Sequence, residues 1–239
     1  MPYTLLFLQR GFDQIIHDVC LQKLPVVFCL DRGGLVGEDG PTHHGSFDLS
    51  YLRIIPNMTI MAPKDEKELQ DMLYTGLLLE RPVAIRYPRG RGKGVELSGP
   101  FKEICVPKGE ILKQGKDVLI IAVGSMVEPS LIAAKEAQER YGIDVLVYNA
   151  RFIKPVPSEV TQLVENFQKI IVIEENSLMG GFSSGILETL NDREMLTGKK
   201  IVRLGLPDEF IEHGPQKKLQ SKLGLDSEGI LKRILELTK

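Results

Sequence analysis

A glycine-rich loop that directly follows an apolar strand constrains this chain more than any other feature. The run Pro25–Leu30 is too short for a helix and contains β-branched residues, which predicts a buried strand. The fifteen residues that follow, 31–45, include five glycines, three acids, two histidines and one arginine. Glycine lets a backbone approach a ligand closely, and ligands bind open α/β sheets at the carboxyl ends of strands. Loop 31–45 is therefore the predicted active site.

Strands and helices alternate on both sides of this loop. Apolar residues at helical spacing from Phe12 to Cys20 predict one helix, and Asp65 is placed to cap another that ends at Leu79. The inner face of the second helix is predicted to consist of Leu69, Met72, Leu73 and Gly76. Further strands are predicted at 58–61, 82–87, 118–123, 145–148, 170–173 and 201–204, and further helices at 46–54, 124–141, 158–167, from 182 onwards, and at 226–238. Such alternation produces right-handed crossovers and a parallel sheet.

The pattern changes in the middle of the chain. Residues 90–116 contain repeated glycine and proline, which predicts a linker with one β-hairpin. We therefore predict an α/β protein with two parallel-sheet domains, at 1–90 and 116–239, joined by a linker at 91–115.

Composition excludes several classes of protein. The formal charge of −2 gives no electrostatic basis for binding nucleic acid or an anionic membrane. The longest apolar run, Val118–Val123, is far too short to span a bilayer. The three cysteines show no metal-ligand spacing, which is typical of reduced core residues in a cytoplasmic protein.

Three arginines each follow a predicted strand of the first domain. They are Arg10, Arg32 and Arg89, and the carboxyl ends of parallel strands share one edge of the sheet. Planar guanidinium groups suit phosphate, which accepts paired N–H bonds. The alternative is that each arginine pairs with a local acid such as Asp13, Asp31 or Glu38.

The histidines of the loop have two possible roles. His43 and His44 could ligate a metal with Asp39 and Asp48, but their spacing matches no standard site. A proton carrier or hydrogen-bond donor is the favoured role, because imidazole titrates near neutral pH. His44 is expected to face solvent or to cap a helix. No metal ligands are predicted.

Two further features could belong to a site. Phe7, at a strand-to-helix junction beside Arg10, is either a core residue or a flat face for a heterocycle. Glycines 180 and 181 precede a helix whose N-terminus could hold an anion. No basic residue stands near it, so Glu174–Asn176 and this helix are interpreted as packing or a subunit contact.

Four stretches together resemble one family. FLQRGFDQ at 7–14, DRGGLVG at 31–37, DGPTHHG at 39–45 and RYPRG at 86–90 are similar to the 1-deoxy-D-xylulose-5-phosphate synthases of the transketolase superfamily. The resemblance runs from about Phe7 to the end of the chain. It implies a partial pyrimidine-binding domain of parallel-sheet type at 1–90, followed by the transketolase C-terminal α/β domain at 116–239.

The resemblance also implies an activity and the residues that serve it. The family is thiamine-diphosphate-dependent and joins pyruvate, after loss of CO₂, to glyceraldehyde 3-phosphate. By match to its motifs, Phe7 stacks on the aminopyrimidine of the cofactor, and His43 lies near the reacting carbons. The residues matched to the phosphosugar site are Arg10, Arg32, Asp39 and Arg89.

Parts of the family pattern are not found in this sequence. The family binds the diphosphate and Mg²⁺ through a Gly-Asp-Gly segment and activates the cofactor with a glutamate, and neither motif occurs here. A tyrosine that the family places shortly before the phenylalanine is replaced by Thr4 in a gap-free alignment. We therefore expect the chain to need the missing N-terminal part of the synthase as its partner, to be inactive alone, and to form a homodimer.

Two alternatives remain open at this point. The chain could be the β-type subunit of a split transketolase-like enzyme that a second chain completes. It could also be a non-catalytic binding or assembly module that keeps only the fold.

Overall fold

A computed structural model describes the main chain of residues 2–4 and all of residues 8–239. The strands of this part of the chain are Pro2–Thr4 (β1), Val27–Asp31 (β2), Thr59–Met61 (β3), Val83–Arg86 (β4), Glu110–Lys113 (β5), Val118–Ala122 (β6), Val145–Asn149 (β7), Phe152–Lys154 (β8), Lys169–Ser177 (β9) and Lys200–Leu206 (β10). They form two five-stranded sheets, so the α/β class is confirmed.

The first helical segment, α1, starts as a tight helical turn and becomes wider toward its end. It consists of a 3₁₀ turn at Gln9–Gly11, an α-helical turn at Phe12–Gln14 and a π-helix at Ile15–Cys20. The other helices are Asp48–Arg53 (α2), Glu66–Leu78 (α3), Val127–Tyr141 (α4, after a 3₁₀ turn at Gly124–Met126), Glu159–Glu165 (α5), Phe182–Asn191 (α6), Gln216–Lys222 (α7) and Ser227–Thr238 (α8). None of the helices in the described chain is long and apolar enough to cross a bilayer.

The first sheet has the strand order β1-β2-β4-β3-β8. Its first four strands are parallel, as the alternation predicts, and β1, β2 and β4 are direct neighbours. The carboxyl ends of these three strands therefore meet at one edge of the sheet. The fifth strand, β8, comes from the second half of the chain and pairs antiparallel with β3. Three residues are too few to produce a periodic signal, so sequence reasoning missed β8.

The second sheet has the order β10-β9-β6-β7-β5. The longest apolar run of the chain forms its central strand, β6, in which every residue is buried because both faces are covered. The hairpin predicted within the linker is wrong. The only strand between residues 91 and 115 is β5, which pairs antiparallel with β7 at the edge of the second sheet.

Helix α3 shows how a linker changes the face that a helix buries. The Asp65 side chain caps the helix by accepting a bond from the Glu68 N–H, as predicted. Met72 and Gly76 are buried, but Leu73 is 39% exposed, so its predicted inward position is wrong. Thr75 is buried instead, because its hydroxyl accepts a bond from the Ile104 N–H at 2.8 Å. Backbone from the linker therefore occupies the side of the helix where an apolar stripe was expected.

One hydrophobic cluster joins the two sheets. Leu30 and Ile60 of the first sheet belong to the same buried cluster as Ile121 and Val172 of the second. Both sheets also have a cluster of their own on the opposite face. The two halves therefore share a core rather than touching only through a linker.

Candidate functional site

The predicted active-site loop is closed at its base by its own backbone. Gly34 and Gly45 exchange N–H···O bonds of 2.9 and 2.8 Å. Gly34 has φ +82°, and a Cβ atom there would lie 2.6 Å from the carboxyl carbon of Glu175. At Gly33 a Cβ atom would overlap the Arg86 side chain at its Nε atom. These glycines are therefore required by close protein packing, whereas sequence reasoning attributed them to the approach of a ligand.

The far side of the loop packs against the second half of the chain. Gly37 accepts a bond from the Gly214 N–H at 3.3 Å, and the Gln216 side chain donates to the Leu35 carbonyl at 2.7 Å. Tight turns then bring Gly40 back to the Gly37 carbonyl. The loop thus lies between the two sheets, and its tip at residues 38 and 39 is exposed.

The arginines predicted at this edge have acidic neighbours. Arg32 donates to Asp31 at 2.5 Å. For Arg32 the structure therefore contains the alternative given above, an ion pair with a local acid. Arg89 pairs with Asp39, an acid fifty positions away that the resemblance places in the same phosphosugar site. Both ion pairs are partly exposed, and the Arg89 side chain is 48% exposed. Each guanidinium group therefore keeps solvent-facing surface at the sheet edge.

The remaining arginine and the aromatic residue lie at the start of the chain. Arg10 is exposed in the 3₁₀ turn of α1, which follows β1 along the chain. The local acid suggested for it, Asp13, lies 3.0 Å from the His17 ring nitrogen. Phe7 falls outside the described residues.

His43 and His44 differ in their surroundings. The His43 Nδ1 atom lies 2.9 Å from the Thr42 hydroxyl, and the ring is half-buried near the loop tip. The His44 Nδ1 atom accepts a bond from the Val36 N–H at 3.0 Å, so His44 holds the two sides of the loop together. The expectation that His44 faces solvent or caps a helix is wrong. Its burial lowers its pKa, which favours the neutral ring that this bond requires.

Sequence reasoning missed the ionic core beneath the loop. Arg86 is 4% exposed, and its Nε atom donates to the buried Asp48 carboxylate at 3.0 Å. Burial raises the pKa of Asp48, and the charge of Arg86 opposes that shift. The signal that could have identified this pair is an arginine that ends an otherwise apolar strand, since a buried charge needs a partner.

The glycine-preceded helix N-terminus is occupied by a residue of the chain itself. The buried Glu174 carboxylate accepts bonds of 2.7 Å from the N–H groups of Phe182 and Ser183, at the start of α6. Burial raises the pKa of Glu174, and these N–H bonds oppose the shift. The packing interpretation of this segment is confirmed, because the anion at the helix N-terminus is a side chain of the neighbouring strand.

The charged groups at the sheet edge can bind an anion, but they do not form a metal site within the described residues. Arg32, Arg89 and Asp39 offer charged and hydrogen-bonding groups that suit a phosphate and a hydroxyl group. Within residues 8–239, no three His, Cys, Asp or Glu side chains lie together as potential metal ligands. The metal set considered for the loop is not assembled, since Asp48 binds Arg86 and His44 binds Val36.

Comparisons with known proteins agree on one family. The model of the transketolase pyrimidine-binding domain matches residues 3–93, and that of the transketolase C-terminal domain matches residues 107–230. The chain is 56% identical over 232 residues to a 1-deoxy-D-xylulose-5-phosphate synthase of Oleidesulfovibrio alaskensis, covering 97% of this chain and 36% of that protein. A synthase of Geobacter sulfurreducens is 56% identical over 225 residues, covering 94% of this chain and 35% of that protein.

A solved structure is also similar. It is described as a split gene transketolase, an inactive beta4 tetramer, and it matches with a TM-score of 0.85 and 29% identity over 98% of this chain and 75% of its own. The resemblance seen in the motifs is thus confirmed. The chain spans about a third of the length of the curated relatives it matches.

Proposed function

Because this chain belongs to the transketolase family, we propose that it forms the acceptor-binding part of a thiamine-diphosphate-dependent transferase. The proposed reaction joins pyruvate, with loss of CO₂, to glyceraldehyde 3-phosphate, as in a 1-deoxy-D-xylulose-5-phosphate synthase. The observation that carries this proposal is the Asp39–Arg89 ion pair, which unites two separate family motifs at one sheet edge. The synthase-named relatives, at 56% identity, support the same reaction.

Each residue of the proposed site has a distinct task. Arg32 and Arg89, with Arg10, bind the phosphate of the acceptor, because a guanidinium fork can donate two N–H bonds to it. Asp39 orients the Arg89 guanidinium group and can accept a bond from a sugar hydroxyl. His43 donates a hydrogen bond or a proton near the reacting carbons. Phe7 offers its ring to the aminopyrimidine of the cofactor.

The cofactor requires a second protein part. Thiamine diphosphate supplies the carbanion chemistry of the reaction when it is bound. The described residues do not fit its diphosphate and Mg²⁺, so we assign these to the N-terminal part of the synthase. The chain alone is therefore inactive in this proposal, and the complete enzyme works in the cytoplasm. The proposed division of the chain remains 1–90, 91–115 and 116–239.

An exposed apolar cluster beside the loop supports a homodimer. Phe47 and Phe210 are 50% and 76% exposed, and their ring centroids are 6.3 Å apart. Met179, in the loop before α6, and Ile54, directly after α2, are 64% and 67% exposed. Exposed apolar surface of this kind is typical of a protein interface. Sedimentation of the chain and of Phe210→Ser tests it, with Phe101→Ser as a control at another exposed aromatic residue.

The kinetic test uses the chain joined to, or co-expressed with, the N-terminal part of the Oleidesulfovibrio alaskensis synthase (the joined protein). Arg32→Ala and Arg89→Ala should each lower kcat/KM for glyceraldehyde 3-phosphate by roughly 30- to 1000-fold, or about 2–4 kcal/mol. Lysine should restore only part of the loss, because a point charge does not reproduce the fork. Arg91→Ala is the control, since Arg91 is exposed and outside the proposed site.

The acceptor decides the interpretation of these variants. Unphosphorylated glyceraldehyde should show little difference between the Arg89→Ala variant and the parent. Equal losses with both acceptors would contradict the phosphate assignment. His43→Ala should lower kcat without a selective loss of aldehyde affinity. A joined protein that forms no deoxyxylulose phosphate from these substrates would contradict the proposed reaction.

A split enzyme is the second candidate function. The observation that favours it is the similar solved chain, which is described as a split gene transketolase and is covered over 75% of its length. The DNA upstream of the codon for Met1 distinguishes the two candidates. An in-frame Gly-Ala-Glu motif indicates one long synthase, and a stop codon after a separate upstream gene indicates a two-chain enzyme.

A further inference from the structure

We propose that Arg86 and Glu175 are positioning residues that together hold loop 31–45 in the conformation that places Asp39 and His43 for the acceptor. Arg86 ends β4 of the first sheet, and Glu175 lies in β9 of the second. Neither side chain reaches the loop tip, so neither is a catalytic residue. The catalytic consequence of this inference rests on the proposed function, whereas its structural consequence does not.

Arg86 connects the loop to both halves of the molecule. Its Nη2 atom donates to the Gly45 carbonyl at 2.9 Å and to the main-chain carbonyl of Glu175 at 2.7 Å. Its Nε atom donates to Asp48, at the start of α2 just after the loop. One planar group thus fixes the end of the loop, the following helix and a strand of the other sheet. Lysine cannot reproduce three bonds in these directions.

Glu175 holds the start of the loop, as Arg86 holds its end. Its carboxylate accepts bonds from the Ser125 hydroxyl at 2.7 Å and the Gln220 amide at 2.8 Å, and a longer one from the Leu35 N–H at 3.4 Å. The residue is 1% exposed, and the backbone of Gly34 lies directly against its carboxyl group. Among the described residues, the donors to this buried carboxylate are therefore all neutral groups.

The two side chains act at adjacent points of the loop. Arg86 binds Gly45, Glu175 contacts Gly34, and these two glycines bond to each other. Beyond this closed base, the Val36–His44 bond connects the two sides of the loop and so restrains the segment that contains Asp39 and His43. Loss of either side chain should therefore loosen the tip without removing any group that touches substrate.

A second buried ionic network provides a matched control. Glu68 accepts bonds from Arg151 at 2.6 Å and from Asn149 at 3.0 Å, so it also joins the two halves of the molecule. Its side chain is 2% exposed, like those beneath the loop. None of its hydrogen-bond partners lies in loop 31–45. A purely structural role would make Glu68, Arg86 and Glu175 equivalent.

The first experiment measures amide hydrogen exchange in this chain, with peptides that cover residues 33–45. Arg86→Lys and Glu175→Gln should speed exchange in these peptides by roughly tenfold or more, because their closed base opens locally. Glu68→Gln should leave them unchanged while it destabilises the fold. Unchanged loop exchange in the first two variants, or the same increase in all three, overturns the inference. Glu175→Gln conserves side-chain length and Arg86→Lys conserves charge, and Glu175→Ala serves as a second variant at position 175.

The second experiment measures steady-state kinetics of the same variants in the joined protein. Arg86→Lys and Glu175→Gln should lower kcat/KM for the phosphorylated acceptor by roughly 10- to 100-fold, while Glu68→Gln stays close to the parent. If the parent joined protein is active and the kinetics of Arg86→Lys and Glu175→Gln match those of Glu68→Gln, the inference is overturned. If the parent joined protein is inactive and the exchange result holds, the proposed function fails and the positioning role stands.

Discussion

Gly34 is the loop residue that packs against the Glu175 side chain of the second sheet. Its positive φ angle and the carboxyl group of Glu175 against its Cα both exclude a side chain. His44 occupies a comparable position on the other side of the loop, where its ring accepts a backbone bond. Both residues contribute to the free energy of unfolding through contacts that close the loop. Each contribution can be measured separately.

Gly34→Ala should destabilise the chain more than an alanine at a glycine with open surroundings. A left-handed φ costs an alanine about 1–2 kcal/mol, and overlap with the Glu175 carboxyl group adds about 1–3 kcal/mol. Gly142 has φ +67° and nothing within 4 Å of a Cβ atom, so Gly142→Ala should show the φ cost alone. Urea unfolding of both variants measures the difference, and equal losses would contradict the close contact at Gly34.

His44 should make the stability of the loop depend on pH. Burial lowers the pKa of His44, so the unfolded chain binds its proton more readily than the folded chain. The free energy of unfolding should therefore fall as the pH decreases below about 6.5, the ordinary value for histidine. His44→Asn, which keeps an acceptor near the Nδ1 position, should remove this dependence. The exposed His17→Asn is the control, and a pH dependence that survives in His44→Asn would refute the assignment.

Helix α6 has an N-terminus that is satisfied by a residue of another element. Its first N–H groups bond to Glu174 of β9 rather than to a residue at its own N-terminus. The helix therefore takes its cap from a neighbouring strand, and its start is fixed by tertiary packing. Helix α3, by contrast, is capped by Asp65, the residue immediately before it.

Glu174→Gln should weaken α6 and with it the whole fold. An amide keeps one acceptor but places its NH₂ group against an N–H donor in a buried position, at a cost of about 2 kcal/mol. Glu228→Gln, an exposed glutamate in the first turn of α8, should change the free energy of unfolding by less than about 0.5 kcal/mol. Denaturant unfolding at neutral pH compares the two variants. Similar small changes in both would show that Glu174 is not needed as the cap.

The whole molecule is joined at three levels. A hydrophobic cluster contains residues of both sheets, and strand β8 completes the first sheet from the second half. Two buried side chains also cross between the halves, because Arg86 donates to the main-chain carbonyl of Glu175 and Glu68 accepts from Arg151. The boundary between the two family domains therefore does not coincide with a gap in the core. Folding of either half alone would expose part of the shared cluster.

The chain should consequently unfold in one cooperative transition. Hydrogen exchange in rising urea, followed in peptides from β2 and β9, should give the same midpoint for both sheets. Ile121→Ala truncates a side chain in the shared cluster and should lower the free energy of unfolding by about 2–5 kcal/mol. Both midpoints should therefore shift together to lower urea. Two separate midpoints in the parent chain, or a shift in β9 alone, would contradict a shared core.

The sequence by itself determined the features that depend on neighbouring residues. Alternating apolar segments predicted the parallel strands of the two sheets but not the antiparallel edge strands β5 and β8. Asp65 indicated the start of a helix, and the loop motifs identified the family. Only the tertiary structure decided which distant groups meet. Arg86 binds Asp48 beneath the loop, and Glu175 of the second sheet lies against Gly34. Periodicity and capping act over a few residues, whereas the partner of a buried charge is set by how the sheets pack. A local pattern therefore predicts that such a charge needs a partner but not which residue provides it.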